Sequence, residues 1–290
     1  MPTGPVVVTG AAGYVGRTIA TRLQAEGVDV LAIVRSTPTD AALRWYVLDL
    51  EVDSVSAAVA SRPPRAIVHC AASVPLLHGR ADDDANAAST RAIDANVADA
   101  CGALGCRLVY LSSSILYDAL DPGLKDERSP VTATTPYAGA KLDGELAARS
   151  LADSVVMRLP SPVGGSADRR TVLDLFVERA ARAEELEVWG TGTREQDFIH
   201  VDDIAAFVVR ALDDGVSGTF NVASGVPVTM RGLAETVVDQ LGSGTVVAAD
   251  RPDPQEGHTA RYDITAARDL GWAPRIGLAA MIRRRSGRTQ

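Results

Sequence analysis

Several features typical of secreted and membrane proteins are missing from this sequence. Its 290 residues include only three cysteines, Cys70, Cys101 and Cys106, which cannot form an even disulfide framework and contain no CxxC pair. No apolar run approaches the roughly 20 residues of a membrane span, and no secretory leader opens the chain. We therefore expect a cytoplasmic protein with reduced thiols.

Lysine is scarce, and there is no excess of positive charge. Lysine and arginine together number 29, yet only Lys125 and Lys141 are lysines. The formal net charge is −8, which argues against a general nucleic-acid binder. The four histidines are too widely scattered along the chain to indicate a metal site, so we expect none.

Short apolar runs alternate with helical patterns through the first half of the chain. PVVVTG, VDVLAIV, WYVLDL, AIVHCAA, RLVYLSSS and SVVMRLP are predicted strands. Continuous β-branched strands separated by helices indicate a parallel sheet covered on both faces, so we predict a doubly wound α/β fold of the Rossmann type. We expect a dinucleotide-binding domain over residues 1–160, with 198–224 returning to it, and a smaller substrate lobe over 161–197 and 225–290. The basic end RRRSGRTQ is expected to be frayed and solvated.

A glycine-rich segment, TGAAGYVG, follows the first strand directly and opens a helix. Gly10 permits a tight turn, while Gly13 and Gly16 let a backbone or a phosphate approach closely. The N-terminus of the helix can then stabilise a pyrophosphate. A glycine triplet alone could be an ordinary strand-to-helix turn, but its context predicts a dinucleotide site.

The end of the second strand bears on the choice between NAD and NADP. NAD-binding folds usually place an acidic residue there to hold the adenosine ribose, whereas this chain has Val34 followed by Arg35 and Ser36. A guanidinium at this point could pair with a 2′-phosphate, although it could equally be an exposed arginine without function. We predict that NADP(H) is favoured over NAD(H). Asp49, at the end of WYVLDL, is placed either to contact the adenine or to form a turn.

Tyr137 and Lys141 stand four residues apart in TTPYAGAKLDGE. Thr135 as N-cap and Pro136 at the first helical position predict a helix that starts here, so both side chains would share one face. Chance placement of two lysines would give far fewer than one such pair. Because a lysine ammonium is compact, it can approach a phenol closely and lower the phenol's pKa. The pair therefore predicts acid–base chemistry, against the alternative of an inert pair on a helix surface.

A row of serines ends a central strand in LVYLSSSILY. Ligands of open α/β sheets bind at the carboxyl ends of the strands, where a serine hydroxyl could hydrogen-bond a substrate carbonyl. Serine clusters are also ordinary turn residues. The row alone does not say whether Ser112, Ser113 or Ser114 would act.

Together these segments resemble the extended short-chain dehydrogenase/reductase family, of the NAD-dependent epimerase/dehydratase type with nucleotide-sugar-modifying relatives. The resemblance runs through most of the chain and includes IVHCAAS, Asn86 with Ser89-Thr90, MRLPSPVGG, QDFIHVDDIA, GTFNVASG and DLGWAP. It implies a catalytic group of Ser113, Tyr137 and Lys141, with Ser112 and Ser114 as alternatives to Ser113.

The resemblance also implies the roles of these and the surrounding residues. Tyr137 would exchange a proton with the substrate, Ser113 would hold the substrate oxygen, and Lys141 would lower the tyrosine pKa and bind the nicotinamide ribose. The implied cofactor-binding residues are Gly10, Gly13, Tyr14, Val15, Gly16, Arg35, Ser36, Asp49, Leu50, Ala71, Ala72, Tyr137, Lys141 and Pro160. The implied substrate-binding residues are Ser73, Ser114, Ser161, Gln196 and Arg251. Because helices corresponding to 84–104 and 136–150 form the dimer surface in relatives, we expect a homodimer, with no nucleic-acid or membrane partner.

The substrate end departs from the pattern of nucleotide-sugar enzymes. Those enzymes usually have asparagine where Ser161 stands here. They usually have arginine where Gln196 stands, and the nearest arginine, Arg194, is two positions earlier. Losing a bidentate phosphate contact is not a conservative change. Arg251 still matches a second phosphate-contacting arginine of the family.

The residues after the serine row favour one reaction type. Family dehydratases carry Asp and Glu before the Val-Tyr pair, whereas this chain has Ser114 and Ile115. We therefore predict an NADP(H)-dependent ketoreductase acting on a sugar, with a nucleotide-linked (deoxy)sugar as the first choice. The alternatives are an NAD(P)-dependent nucleotide-sugar epimerase, a ketoreductase on a free sugar or polyketide-like ketone, and a non-catalytic NADP-sensing module. We interpret His200 as a structural histidine, and Asp202 and Asp203 as helix N-terminal residues.

Overall fold

The computed structural model describes residues 4–36, 38, 42–74, 83–165 and 171–287. The strands are β1 (Val6–Thr9), β2 (Val30–Val34), β3 (Trp45–Val47), β4 (Ala66–His69), β5 (Arg107–Ser113), β6 (Ser154–Leu159), β7 (Ser161–Val163), β8 (Glu185–Val188), β9 (Glu195–Gln196), β10 (Phe198–His200), β11 (Gly218–Asn221), β12 (Val228–Thr229) and β13 (Thr245–Ala248). The helices are α1 (Gly16–Ala25), α2 (Val55–Ala58), α3 (Asp83–Leu104), α4 (Pro136–Arg149), α5 (Val172–Ala181), α6 (Val201–Ala211), α7 (Met230–Leu241), α8 (Thr265–Asp269) and α9 (Leu278–Arg285). Within these ranges, no helix combines the length and the apolar character that crossing a bilayer requires.

Seven strands form one parallel sheet in the order β3-β2-β1-β4-β5-β6-β11. The first six follow the order of a doubly wound dinucleotide-binding fold, and the predicted fold class is confirmed. From β1 the chain adds strands on one side of the sheet, as far as β3, and then continues on the other side, starting with β4. The order of the strands therefore reverses between β1 and β4. In open α/β sheets, ligands bind in the crevice that such a reversal leaves at the carboxyl ends of the strands.

The main sheet is covered on both faces because its strands are apolar throughout. Val6 and Val8 pack on one face with residues of α1 and α6. Val7 packs on the other face with residues of α2, α3 and α4. All three valines are fully buried, as expected for a strand at the centre of a parallel sheet.

A separate apolar cluster lies outside the main sheet, between α5, α7, α9, β8 and β13. Its buried members include Phe176, Leu233 and Ile282. Strand β11, by contrast, pairs in parallel with β6 and extends the main sheet.

The basic segment 283–287 is not frayed as predicted, because residues 283–285 belong to α9. Met281 and Ile282 anchor this helix in the apolar cluster between α5 and α7. Arg284 then pairs with Asp202 at 3.0 Å, and Arg285 with Asp174 at 2.7 Å. Arg283 and Arg284 are exposed to solvent as predicted, although they belong to a helix. The last three residues, 288–290, lie outside the described part of the chain.

Candidate active site

The turn after β1 requires glycine at two positions. Gly10 has φ +61°, and a Cβ there would stand 2.8 Å from the Cα of Ala71, which follows β4. A Cβ on Gly16 would collide with the carbonyl oxygen of Gly10. The turn passes close to the end of β4, and only glycine at these two positions avoids the strained φ and the collisions. The exposed Gly13 lies between these two residues and donates its N–H to the Gly10 carbonyl at 2.9 Å.

The N-terminus of α1 is suited to an anion. Val15 is its N-cap residue, no side chain caps it, and its first turn carries no acidic residue. Uncapped N–H groups and the helix dipole favour a phosphate at such a point. Tyr14 packs against Gly165, where a Cβ would stand 3.0 Å from the tyrosine ring. These residues fit the pyrophosphate of a dinucleotide.

The residues predicted to bind the adenosine half of the cofactor differ in exposure. Arg35 and Ser36 follow β2 and are exposed, and Arg35 forms no ion pair with any described residue. Asp49 accepts the Glu51 N–H at 3.0 Å, so one carboxylate oxygen forms a local turn. Leu50 is buried in the core. The turn alternative for Asp49 is therefore present in the structure, and its contact with adenine stays a prediction.

The segment after β4 runs beside the glycine turn. Thr9, the last residue of β1, accepts the backbone N–H of Cys70 at 3.2 Å and that of Ala71 at 3.3 Å. Ala72 and Ser73 follow, both half-buried. The Ser73 hydroxyl donates to Asn86 at 2.7 Å, which ties the segment to α3. The glycine turn after β1 and the segment 70–73 after β4 thus lie side by side at the carboxyl ends of these two strands.

The three serines at the end of β5 have different surroundings. Ser112 is buried and donates to Glu145 at 2.6 Å. Ser114 hydrogen-bonds the hydroxyl of Tyr262, whose pKa burial raises to about 12. Ser113 is half-buried and accepts the Ile115 N–H at 3.3 Å, and within the described ranges nothing accepts its hydroxyl hydrogen. Ser113 therefore retains a donor for a ligand.

Helix α4 places Tyr137 and Lys141 on one face, one turn apart. The helix starts as predicted, with the Thr135 hydroxyl accepting the Ala138 N–H at 3.1 Å and Pro136 in the first turn. Tyr137 is half-buried and lies near Tyr110 of β5. The pKa of Tyr110 is raised by burial first, then by Asp94, and to a smaller extent by Tyr137.

Lys141 is only 2% exposed. Its Nζ lies 4.1 Å from the centroid of the Tyr110 ring and 3.6 Å from Oδ2 of Asp94 on α3. Burial lowers the pKa of the Lys141 ammonium below its ordinary value, and Asp94 opposes that change.

A buried ion pair lies beneath the serine row. Arg158 on β6 donates to both carboxylate oxygens of Glu145 on α4, at 2.9 and 2.8 Å. Arg158 also donates to the Tyr117 hydroxyl at 2.9 Å. The pair joins α4 to the sheet behind Tyr137 and Lys141. Sequence reasoning missed it, and its one signal was a charged residue inside the apolar strand SVVMRLP.

The residues predicted to bind substrate fall into two groups. Ser161 starts β7, directly after Pro160, which was predicted to bind the cofactor, and the Gln196 amide donates to the Ser161 hydroxyl. Arg251 lies farther out, with its guanidinium 3.6 Å from the centroid of the Trp189 ring. Ser161 and Gln196 are thus brought together, while Arg251 belongs to a neighbouring cavity.

That cavity has a volume of about 330 Å³ and an apolar floor between α5, β8 and α7. Trp189 and Arg251 line it, together with Arg179 and Arg194. Arg194 is held by Asp253 at 2.7 Å. Trp189 was not singled out from the sequence. Its position directly before the glycine-rich segment GTG, after β8, was the available signal.

The residues interpreted as structural behave as such. His200 is buried, and its Nδ1 accepts the Asp202 N–H at 3.1 Å, which caps α6. Burial lowers the pKa of the His200 imidazole. The Asp203 carboxylate accepts two backbone N–H groups just before α9, each at 3.0 Å.

Comparisons with known proteins agree with this geometry. Residues 6–223 match the NAD dependent epimerase/dehydratase family. The chain is 30% identical to the probable GDP-L-fucose synthase 1 of Oryza sativa subsp. japonica, over 95% of this chain and 88% of that protein. It is also 30% identical to the dTDP-6-deoxy-L-talose 4-dehydrogenase (NAD(P)(+)) of Kitasatospora kifunensis, over 96% and 93% respectively.

A solved structure shares the whole fold. The UDP-glucose 4-epimerase of Thermus thermophilus, in complex with NAD, superposes with a TM-score of 0.85 at 23% identity, covering 98% of both chains. The family match spans most of the chain, and the glycine turn and the Tyr137–Lys141 helix lie within it. The chain therefore belongs to the NAD dependent epimerase/dehydratase family and is an NAD(P)-dependent enzyme of the extended short-chain dehydrogenase/reductase type.

Proposed function

We propose that the protein is an NADP(H)-dependent ketoreductase that interconverts the carbonyl and carbinol of a nucleotide-linked deoxysugar. The observation that carries this proposal is the arrangement at the end of β5. A half-buried phenol, Tyr137, stands one turn from the buried ammonium of Lys141, and Ser113 keeps a free hydroxyl hydrogen among the described residues. The 30% identity to a deoxysugar 4-dehydrogenase also supports it.

Each member of the proposed catalytic group has a distinct task. In the reducing direction, Tyr137 donates its proton to the carbonyl oxygen, while Ser113 hydrogen-bonds that oxygen and holds it in place. The positive charge of Lys141 stabilises the phenolate that remains. The nicotinamide cofactor, held by the turn from Gly10 to Gly16, supplies the hydride when bound.

Turnover assays separate this proposal from its alternatives. We expect NADPH oxidation with a 4-keto deoxysugar linked to a nucleoside diphosphate. Interconversion of two 4-hydroxy sugars with no net consumption of cofactor would instead indicate an epimerase, which the family match also allows. Binding of NADPH without turnover across a panel of ketones would indicate a sensing module.

Preference for NADP(H) is proposed from Arg35, which is exposed after β2 where an acidic residue would hold the ribose of NAD. Arg35→Ala is expected to weaken NADPH binding by about 10- to 100-fold, since a charge-assisted hydrogen bond contributes about 1.5–3 kcal/mol. NADH binding should change little. Fluorescence titration of both cofactors measures the effect, with Arg44→Ala, an exposed arginine before β3, as the control. Equal losses for the two cofactors would show that Arg35 contacts no phosphate.

The nucleotide end of the substrate is assigned to the cavity lined by Trp189 and Arg251. The apolar floor of the cavity and the part of Trp189 that stays exposed suit a base, and Arg251, which stacks on the Trp189 ring, suits a diphosphate. Gln196 accepts a hydrogen bond at 3.4 Å from Arg194, which lines this cavity, and donates to Ser161. The Ser161 and Gln196 side chains would contact the sugar. The two 30% identical relatives are named for sugars linked to GDP and to dTDP.

Arg251→Ala is expected to raise the KM for a nucleotide-linked substrate by about 10- to 100-fold, because a charged phosphate contact is lost. The KM for an unlinked ketone of the same sugar should not change. Steady-state kinetics on both substrates tests this, with Arg182→Ala, an exposed arginine at the end of α5, as the control. An unchanged KM for the linked substrate would favour a ketoreductase that acts on free sugars or polyketide-like ketones.

Three broader assignments also stay proposals. We assign residues 1–160 and 198–224 to the cofactor domain, because β11 extends the main sheet, and 161–197 with 225–290 to the substrate lobe. A homodimer through α3 and α4 is proposed on the family resemblance, and Leu146 on α4 is 57% exposed. A cytoplasmic location is proposed on the three cysteines, all of which are free thiols in the structure.

A further inference from the structure

Lys141 is not buried alone. Behind it, on α3, stands the carboxylate of Asp94, with Oδ2 3.6 Å from Nζ. The side chains are only 2% and 3% exposed, so water does not solvate this pair. A buried ammonium is strongly disfavoured unless a partner compensates for the lost hydration. Asp94 is placed to be that partner.

The Asp94 carboxylate is held from two further sides. His69 on β4 contacts Oδ1 through Nε2 at 2.9 Å, and the Tyr110 hydroxyl donates to Oδ2. Thr9 contacts the other histidine nitrogen, Nδ1, at 2.6 Å. Since Thr9 already accepts two backbone N–H groups, its hydroxyl hydrogen is available to Nδ1, and Nε2–H then donates to Asp94.

The charge of Asp94 agrees with this pattern of donors. Burial raises the pKa of the Asp94 carboxyl, but the Lys141 ammonium and the hydrogen bond from His69 lower it more, so the net pKa lies below its ordinary value. An ionised carboxylate accepts hydrogen bonds only, as the three donors around it require.

Helix α4 has glycine at position 144, where it passes close to Asp94 and Tyr110. A Cβ on Gly144 would collide with Oδ2 of Asp94 and with the Tyr110 hydroxyl oxygen. Gly144 lies on the same helix as Lys141, so the helix that carries the lysine also admits its carboxylate partner. The cluster is thus built from α3, α4, β1, β4 and β5.

We infer that Asp94 is a positioning residue that holds the Lys141 ammonium charged and in place beside Tyr137. This role rests on the proposed Tyr137–Lys141 chemistry. The other groups that face Lys141 cannot replace Asp94. Glu145 of α4 is paired with Arg158. The Cys70 thiol is protonated, since burial raises its pKa to about 12, and Tyr110 of β5 and Tyr137 of α4 are phenols.

Loss of the carboxylate would act on Tyr137 through Lys141. Without Asp94, burial would drive Lys141 to release its proton at lower pH. The phenol one turn away would then lose the positive charge that favours its ionisation. Asp94 touches no reacting atom, and its contribution is to the protonation state of the lysine.

The small number of lysines makes a direct test possible. In protein labelled with ¹⁵N-lysine, only two Nζ groups titrate. The second is Lys125, which donates to the backbone carbonyls of Asp121 and Gly123 and to the Thr259 hydroxyl. None of these groups belongs to the Asp94 cluster, so Lys125 serves as an internal reference. In Asp94→Asn we expect the titration midpoint of Lys141 to fall by about one pH unit or more, and that of Lys125 to stay unchanged. Asp143→Asn, which removes an exposed carboxylate of α4 that pairs with Arg91, should move neither midpoint.

A second readout is the pH profile of alcohol oxidation, which requires the Tyr137 phenolate. Its acidic limb should move to higher pH in Asp94→Asn and stay in place in Asp143→Asn. An unchanged Lys141 midpoint in Asp94→Asn would overturn the inference. If that variant does not fold, wild-type protein decides, because a neutral Lys141 at pH 7 would overturn it too. The ¹⁵N-lysine titrations of the variant and of the wild type need no substrate, so failure of the proposed reaction would be seen separately, as absent turnover with an intact effect of Asp94 on Lys141.

Discussion

Tyr137→Phe is expected to lower turnover by about 100- to 10,000-fold, the range over which a positioned general acid contributes. The substitution removes only the hydroxyl, so the half-buried ring keeps its place in the first turn of α4. Cofactor affinity should be nearly unchanged, because the pyrophosphate is assigned to the glycine turn after β1. Single-turnover kinetics and a cofactor titration on the same preparation measure the two quantities.

Tyr46→Phe provides the matched control for this experiment. Tyr46 on β3 is 38% exposed, and among the described residues its hydroxyl donates to one backbone carbonyl, that of Ala58, at 3.5 Å. It should retain full activity. Turnover at the wild-type rate in Tyr137→Phe would remove this residue from the acid–base role, and the proposed mechanism with it.

Arg158→Ala is expected to destabilise the fold by about 3–5 kcal/mol, the usual consequence of removing one partner from a buried ion pair. The substitution would remove two hydrogen bonds from the Glu145 carboxylate, which is fully buried, and would leave the partly exposed Arg149 as its charged partner. It would also remove a donor to the Tyr117 hydroxyl. Urea denaturation measures the change in the free energy of unfolding.

Arg149→Ala separates this effect from a general loss of charge. Arg149 contacts the same carboxylate at 2.7 Å, but its side chain is 42% exposed. Water can replace an exposed partner, so the expected loss is at most about 1 kcal/mol. Comparable losses in the two variants would mean that burial of the Arg158–Glu145 pair has no special weight.

Much of the site was accessible from the sequence because its geometry is local. Gly10 must be glycine since the chain there adopts a positive φ beside Ala71, and one strand–turn–helix segment specifies that turn. Thr135 and Pro136 start α4, so the spacing of Tyr137 and Lys141 already places both on one helical face. Interactions between residues a few positions apart leave a pattern that can be recognised in the amino-acid sequence.

The residues that sequence reasoning missed owe their contacts to distant segments. Asp94 meets Lys141 only because α3 packs on α4, and nothing near Asp94 in the chain distinguishes it from a surface carboxylate. Trp189 meets Arg251 across more than sixty positions of the chain. The arginines of α9 were predicted to be frayed because Met281 and Ile282, which anchor the helix, pack against residues of α5 and α7 that are distant in the chain.

The amino-acid order by itself determined the succession of β1 to β6, the glycine turn after β1 and the spacing of Tyr137 and Lys141, since each depends on backbone preference or periodicity over a few residues. Only the tertiary structure decided which serine keeps a donor, which carboxylate faces Lys141 and which aromatic ring faces Arg251. Those choices depend on burial and on the directions of side chains from separate elements. Neither is set until the sheet and its helices have packed.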